Sequence, residues 1–238
     1  MSPLTGVLGE AWTYYKRFAG HFLTIAFMIY IVTAILVGLL SLAGYAGFSL
    51  GSIVNFIGFC LVEAALVKAI QDVRDGRVDL TISETVAAAV PYLLPVAAAA
   101  ILAGIGIAIG FVLLIIPGLV LLTFWSLIVP EIVIGGAGPI QAFSRSWRTV
   151  RGYAWKVFGI YILVFLILVA FNIVISVILV ALPSLPRSLI SSVVSGTLVT
   201  PFVALVVTLI YYRLTTAHGG SPDAQPGESA APPPGAAP

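Results

Sequence analysis

At 238 residues, with 61% hydrophobic and only 8% charged side chains, the chain lacks the polar surface that a soluble domain needs. Its formal charge of +2 is small and gathers at one set of turns, which argues against a nucleic-acid partner. Cys60 is the only cysteine, so an intramolecular disulfide and a cysteine-based metal site are excluded.

In chain order, Ser2-Pro3 reads as a helix start. Leu4, Leu8, Ala11, Trp12, Tyr15 and Phe18 then recur on one side, with Glu10, Thr13, Lys16 and Arg17 on the other. The apolar run 21–43 follows; at about 22 residues it exceeds the ~7–15 of a signal-peptide core and is expected to stay as the first span. A second run covers 48–70. The charged stretch Asp72, Arg74, Asp75, Gly76, Arg77, Asp79 leads into Thr81-x-x-Glu84, a capping-box pattern ahead of an Ala/Val-rich helix. Pro91 and Pro95 are expected to kink its passage into the run 93–114, and 116–134 follows. Gly135, Gly136 and Gly138 end that run as a flexible break. Pro139 then opens a helix with Ile140, Phe143, Trp147 and Val150 on one side and Gln141, Arg145, Arg148 and Thr149 on the other. The last runs are 157–182 and 189–212. Residues 219–238 are rich in Gly, Pro, Ala and Ser and read as a disordered tail.

Each of the six runs is close to the ~20 residues that a helix needs to cross ~30 Å of hydrocarbon. Ten of the eleven basic residues (Lys16, Arg17, Lys68, Arg74, Arg77, Arg145, Arg148, Arg151, Lys156 and Arg213) lie at one set of alternate ends, and only Arg187 lies at the other. The positive-inside rule then predicts a multi-pass protein of the cytoplasmic membrane with both termini inside. The expected fold is all-α: a six-span membrane domain over 1–218, with an amphipathic cytoplasmic-surface helix before each helix pair. The resulting units are about 3–70, 81–134 and 139–213.

No catalytic constellation is visible. His21 and His218 are the only histidines, and neither nucleophile-elbow nor phosphate-loop patterns occur, so no enzyme activity, metal or cofactor is expected. Glu63 stands out inside the second span, because a charged side chain at the bilayer centre costs roughly 2.5–3.5 kcal/mol on insertion scales. Asn55, Phe59 and Glu63 share a helical face, expected to point into the bundle towards Asn172 of span five. Two readings of Glu63 stay open: a proton or cation relay, and, preferred, a carboxyl that fixes helix packing. Glu131 reads as an interfacial cap or a partner for Arg145 or Arg148. Ala100-x-x-x-Gly104-x-x-x-Ala108, Gly106-x-x-x-Gly110 and Ser192-x-x-x-Gly196-x-x-x-Thr200 are close-packing patterns expected to serve intramolecular contacts. Arg145, Arg148 and Arg151 form the candidate contact for an anionic phospholipid headgroup, the alternative being topology anchoring with Trp147, Tyr153 and Trp155. The expected partners are the bilayer itself, anionic lipid within it, and a second membrane protein.

Ile116-Pro117-Gly118, Trp125, Pro130, Gly138-Pro139, Ala142, Arg145-Ser146-Trp147, Arg151-Gly152 and Trp155-Lys156-Val157-Phe158 resemble the membrane domain associated with bacterial glycerophosphoryl diester phosphodiesterases and the YciC-type small membrane proteins of unknown function. Pro201-Phe202 through Tyr211-Tyr212-Arg213 fit the same pattern, so that the likeness covers roughly 82–215. In the two-domain relatives the activity belongs to a separate soluble barrel with acidic metal ligands and histidines, which is missing here. The pattern also places an acid just before the Gly-Pro step, where this chain has Gly135-Gly136 and carries its acid earlier, at Glu131. The resemblance therefore implies a fold of several spans with connecting helices, and no activity.

Overall fold

The structure, a computed structural model, describes residues 3–178 and 184–220, without the side chains of 184–189 and Ser192. The predicted tail from 221 onward, the residues 179–183 and the side chain of Arg187 lie outside the described residues. The chain forms α1 (Val7–Arg17), α2 (Ala19–Ser41), α3 (Gly44–Asp72), α4 (Ile82–Ala89), α5 (Leu93–Leu113), α6 (Ile115–Phe124), α7 (Ile128–Val133), α8 (Pro139–Val150), α9 (Ala154–Ile178) and α10 (Ser184–Ala217). There is no strand among the described residues, and six helical segments are long and apolar enough to cross a membrane. The protein is thus an all-helical, multi-pass membrane protein.

Local chemistry explains most of the boundaries. Thr81 and Glu84 close their capping box: the Thr81 N–H donates to Glu84 Oε2 at 2.8 Å, and the Glu84 N–H donates to Thr81 Oγ1 at 3.3 Å. Pro91 falls in a 3-10 turn, Val90–Tyr92, between α4 and α5. Pro95 lies in the first turn of α5, where N–H groups have no intrahelical acceptor, and marks no boundary. The helix expected from Ser2-Pro3 begins only at Val7, because the carbonyls of Pro3 and Thr5 accept from Arg213 Nη1 at 3.0 and 2.7 Å. Arg213 also pairs with Glu10, so that α1 is pinned to the last turns of α10.

Buried residues concentrate towards the end that carries the basic side chains. There Cys60, Val62, Leu66 and Ile70 of α3, Leu205, Ile210 and Leu214 of α10, and Phe22 and Ile25 of α2 are fully enclosed. Lys68 lies over the Tyr92 ring at 4.9 Å and Arg74 over Tyr212 at 3.6 Å, tying α3 to the start of α5 and to α10. At the opposite end the helices are open: Leu42, Tyr45 and Val112 are more than four-fifths exposed. Such surface suits hydrocarbon, which offers no hydrophobic drive for helices to close on one another.

Small residues set the helix approaches. Gly58 abuts Thr33, Gly196 lies under the Tyr30 ring, and Gly106 and Gly110 receive Trp125 and Gly118. Gly104 faces open space, so only the second of the two patterns in α5 is a helix contact.

Span four, expected over 116–134 with breaks at Pro117-Gly118 and Pro130, runs unbroken through Pro117-Gly118 and is interrupted between α6 and α7. The Leu127 N–H would bond to the Thr123 carbonyl in a regular helix, but that oxygen is taken by Ser126 Oγ at 2.8 Å. Pro130, lacking an N–H, leaves the Ser126 carbonyl without its helical donor. What fills the break comes from α8.

Candidate functional site at the basic end

Ser146 of α8, fully buried, enters the break in span four. Its hydroxyl donates to the Phe124 carbonyl at 2.6 Å and accepts from the Leu127 N–H at 3.2 Å. It thereby satisfies two of the backbone groups that the interrupted helix frees. On either side of it Arg145 Nη1 donates to the Gly135 carbonyl at 2.8 Å, and Thr149 Oγ1 donates to Glu131 Oε1 at 2.9 Å. Three side chains of one surface helix thus grip the lower part of span four.

Gly135 and Gly136 form a defined turn. Gly136 takes a left-handed φ of 61°, and a Cβ at Gly135 would come within 2.9 Å of the Tyr211 hydroxyl and 3.1 Å of Glu131 Oε2. Glu131 and Tyr211 are both buried, so the grip extends to α10. Glu131, expected as an interfacial cap or a partner for Arg145 or Arg148, accepts from Thr149 and lies within electrostatic reach of both arginines.

The side of α8 that meets the protein is lined by small residues. Ala142, Ser146 and Val150 face the protein, whereas Ile140 is 76% exposed and Trp147 is 38% exposed while stacking on Phe124 at 4.0 Å. An interfacial helix can turn large apolar side chains to hydrocarbon and reserve small ones for contact with its own protein, and hydropathy alone does not separate these two surfaces.

The three candidate lipid-contact arginines therefore part company. Arg145 is half-buried and spent on Gly135; Arg148, bonded through Nε to the Ser144 carbonyl at 3.3 Å, and Arg151 are exposed. The candidate intramembrane set is not brought together. Asn55 and Phe59 are exposed, against the expectation that their face points into the bundle, because α3 is enclosed chiefly from Cys60 onward. Asn172 donates to the Leu168 carbonyl of its own helix at 2.9 Å, and α9 packs on α10 and α6. Glu63 is half-buried and makes no hydrogen bond or ion pair among the described residues; Tyr30, within reach of its charge, bonds to Thr200 Oγ1 at 3.0 Å.

Ser146, Thr149 and Tyr211 are the site residues that sequence reasoning missed as a group. Only Ser146 carried a signal, as a small polar residue in step with Ala142 and Val150 on a helix rich in arginine and aromatics. No curated protein and no protein of solved structure matches the chain. One family model matches residues 11–218, which take in all six spans and the whole of this grip, and the chain belongs to that family, described as a domain of unknown function, DUF7847.

Proposed function

We propose that the protein is a non-enzymatic structural component of the bacterial cytoplasmic membrane, with both termini inside, that engages anionic phospholipid through Arg148 and Arg151. The observation that supports this reading is the bracing of α8: with Arg145, Ser146 and Thr149 committed to span four and the turn after it, Arg148 and Arg151 stay exposed on a helix fixed to the bundle. A fixed pair of guanidinium groups at an interface suits a phosphate better than a freely rolling helix does. The proposal extends, on the sequence resemblance alone, to kinship with the membrane domain associated with glycerophosphoryl diester phosphodiesterases and with YciC-type proteins.

Each basic side chain near an anionic surface is worth roughly 1 kcal/mol, so Arg148→Ala with Arg151→Ala should weaken retention of anionic lipid by about 2 kcal/mol, roughly 30-fold. Native mass spectrometry of the gently extracted protein reads this directly. Equal lipid retention by wild type and variant would defeat the lipid reading and direct attention to a membrane-protein partner.

A second reading, a small transporter or lipid-handling permease, is favoured by Glu63, which has no hydrogen-bond or ion-pair partner among the described residues and lies within electrostatic reach of Tyr30. Under the first reading, liposomes carrying wild type or Glu63→Gln leak protons and cations no faster than protein-free liposomes. A wild-type flux that Glu63→Gln arrests would decide for transport.

A further inference from the structure

We propose that the open groove between α6 and α9 holds one acyl chain of an anionic glycerophospholipid whose phosphate rests on Arg151 and Arg148, a deepening of the lipid reading above, on which it depends. The groove has a volume of about 500 Å³; Ile116, Leu119 and Phe124 line one side, Trp155 and Phe158 the other. From Ile116 to Phe124 the helix rises ~12 Å, close to the ~15 Å that one leaflet contributes to a ~30 Å hydrocarbon core. A single chain of a lipid seated in the leaflet at the basic end fits that length.

The mouth of the groove is where charge meets it. Ala154 lines the groove, and Arg151 stands three residues before it at the end of α8, with Arg148 one turn earlier. Lys156 follows Trp155 and is exposed, as are both arginines. Trp147 stacks on Phe124, a groove residue, so the helix that carries the arginines also forms part of the groove's support. Trp155, 86% exposed, stands at the mouth between an apolar wall and a cationic rim, a placement that suits the indole of an interfacial tryptophan. A second open groove along α9, lined by Phe165, Val169 and Ile173 among others, begins nine residues, ~14 Å of helix rise, beyond Lys156 and serves as the internal control.

The test uses full-length wild type in nanodiscs of phosphatidylcholine containing a minor fraction of phosphatidylglycerol with a photoreactive acyl chain, the labelled peptides being mapped by mass spectrometry. The expected result is label concentrated on 116–124 and 154–158, several-fold above that from a phosphatidylcholine probe. It should fall to the phosphatidylcholine level in Arg148→Ala, Arg151→Ala. Leu119→Trp, which fills the groove, should displace the label. Label spread evenly over the groove and the control surface by both probes overturns the acyl site. If native mass spectrometry then still shows arginine-dependent retention of anionic lipid, the headgroup reading survives alone; if it does not, both fall.

Discussion

Gly47→Ala should be the most damaging small substitution in the molecule. An alanine Cβ there would lie 1.7 Å from the Leu40 carbonyl oxygen and 2.8 Å from its carbon, and the obstacle is backbone that no rotamer change can clear. The tight turn that joins α2 to α3 would have to open, although these two helices form the most extensive pair in the bundle. The cost should exceed the ~1–3 kcal/mol of ordinary overpacking, and the protein should lose most of its folded yield. Gly104→Ala is the matched control: it meets nothing within 4 Å and should be neutral or stabilising by up to about 1 kcal/mol, because alanine is the better helix former. Thermal unfolding in one detergent compares the two. Equal melting of both variants would show that the turn is not as close as described.

Ser146→Val should rank next. Valine has no hydrogen-bonding atom and is one methyl group larger than serine, so besides crowding the site it strands the Phe124 carbonyl and the Leu127 N–H, which among the described residues only the Ser146 side chain serves. Leaving a buried backbone group unpaired costs roughly 1–3 kcal/mol, so the pair should lower stability by about 2–4 kcal/mol. A larger effect should appear in where the loss occurs. Hydrogen exchange should rise first over 124–131 and 139–150, while α2 and α3 keep their protection. Thr149→Val, which leaves Glu131 short of one donor, should loosen the same segments by less. If exchange in Ser146→Val rose uniformly over the molecule, the hydroxyl would be a general packing element and not the local pin of α8.

These two sites differ in how far they were legible. The spans announced themselves because some twenty consecutive apolar residues have few other uses, and Thr81 with Glu84 could be read because a capping box is complete within four residues. Gly196 and Gly106 likewise stood in patterns whose purpose is close approach. Pro130 signalled a break in span four, but its place did not show, since Phe124, Trp125, Leu127 and Ile128 keep the run apolar whether or not the backbone bonds are regular. Its filler sits 19–22 residues away on another helix, and no periodicity links them. Arg145 misled for a similar reason. At ~100° per residue it lies about 40° from Thr149 and about 60° from Arg148, close to the boundary between inward and outward faces, and only the Gly135 carbonyl decides which way it turns. Asn55 and Glu63 share a face on paper, but a helix enclosed at one end and open at the other gives the two residues different surroundings.

That uneven enclosure bears on how the protein meets bilayers of different thickness. A membrane span adapts to a thicker or thinner bilayer by tilting, or by deforming the lipid around it, at fractions of a kcal/mol per Å. Here the adjustment falls to the half in which Leu42, Tyr45 and Val112 stand clear of other helices. The other half, bolted together by Arg213 with Glu10, Arg145 with Gly135 and Ser146 in its break, would ride as a rigid plate at one membrane face. Changes in the far leaflet would then leave the spacing of Arg148 and Arg151 untouched, so that the lipid contact proposed for them would be insensitive to chain length.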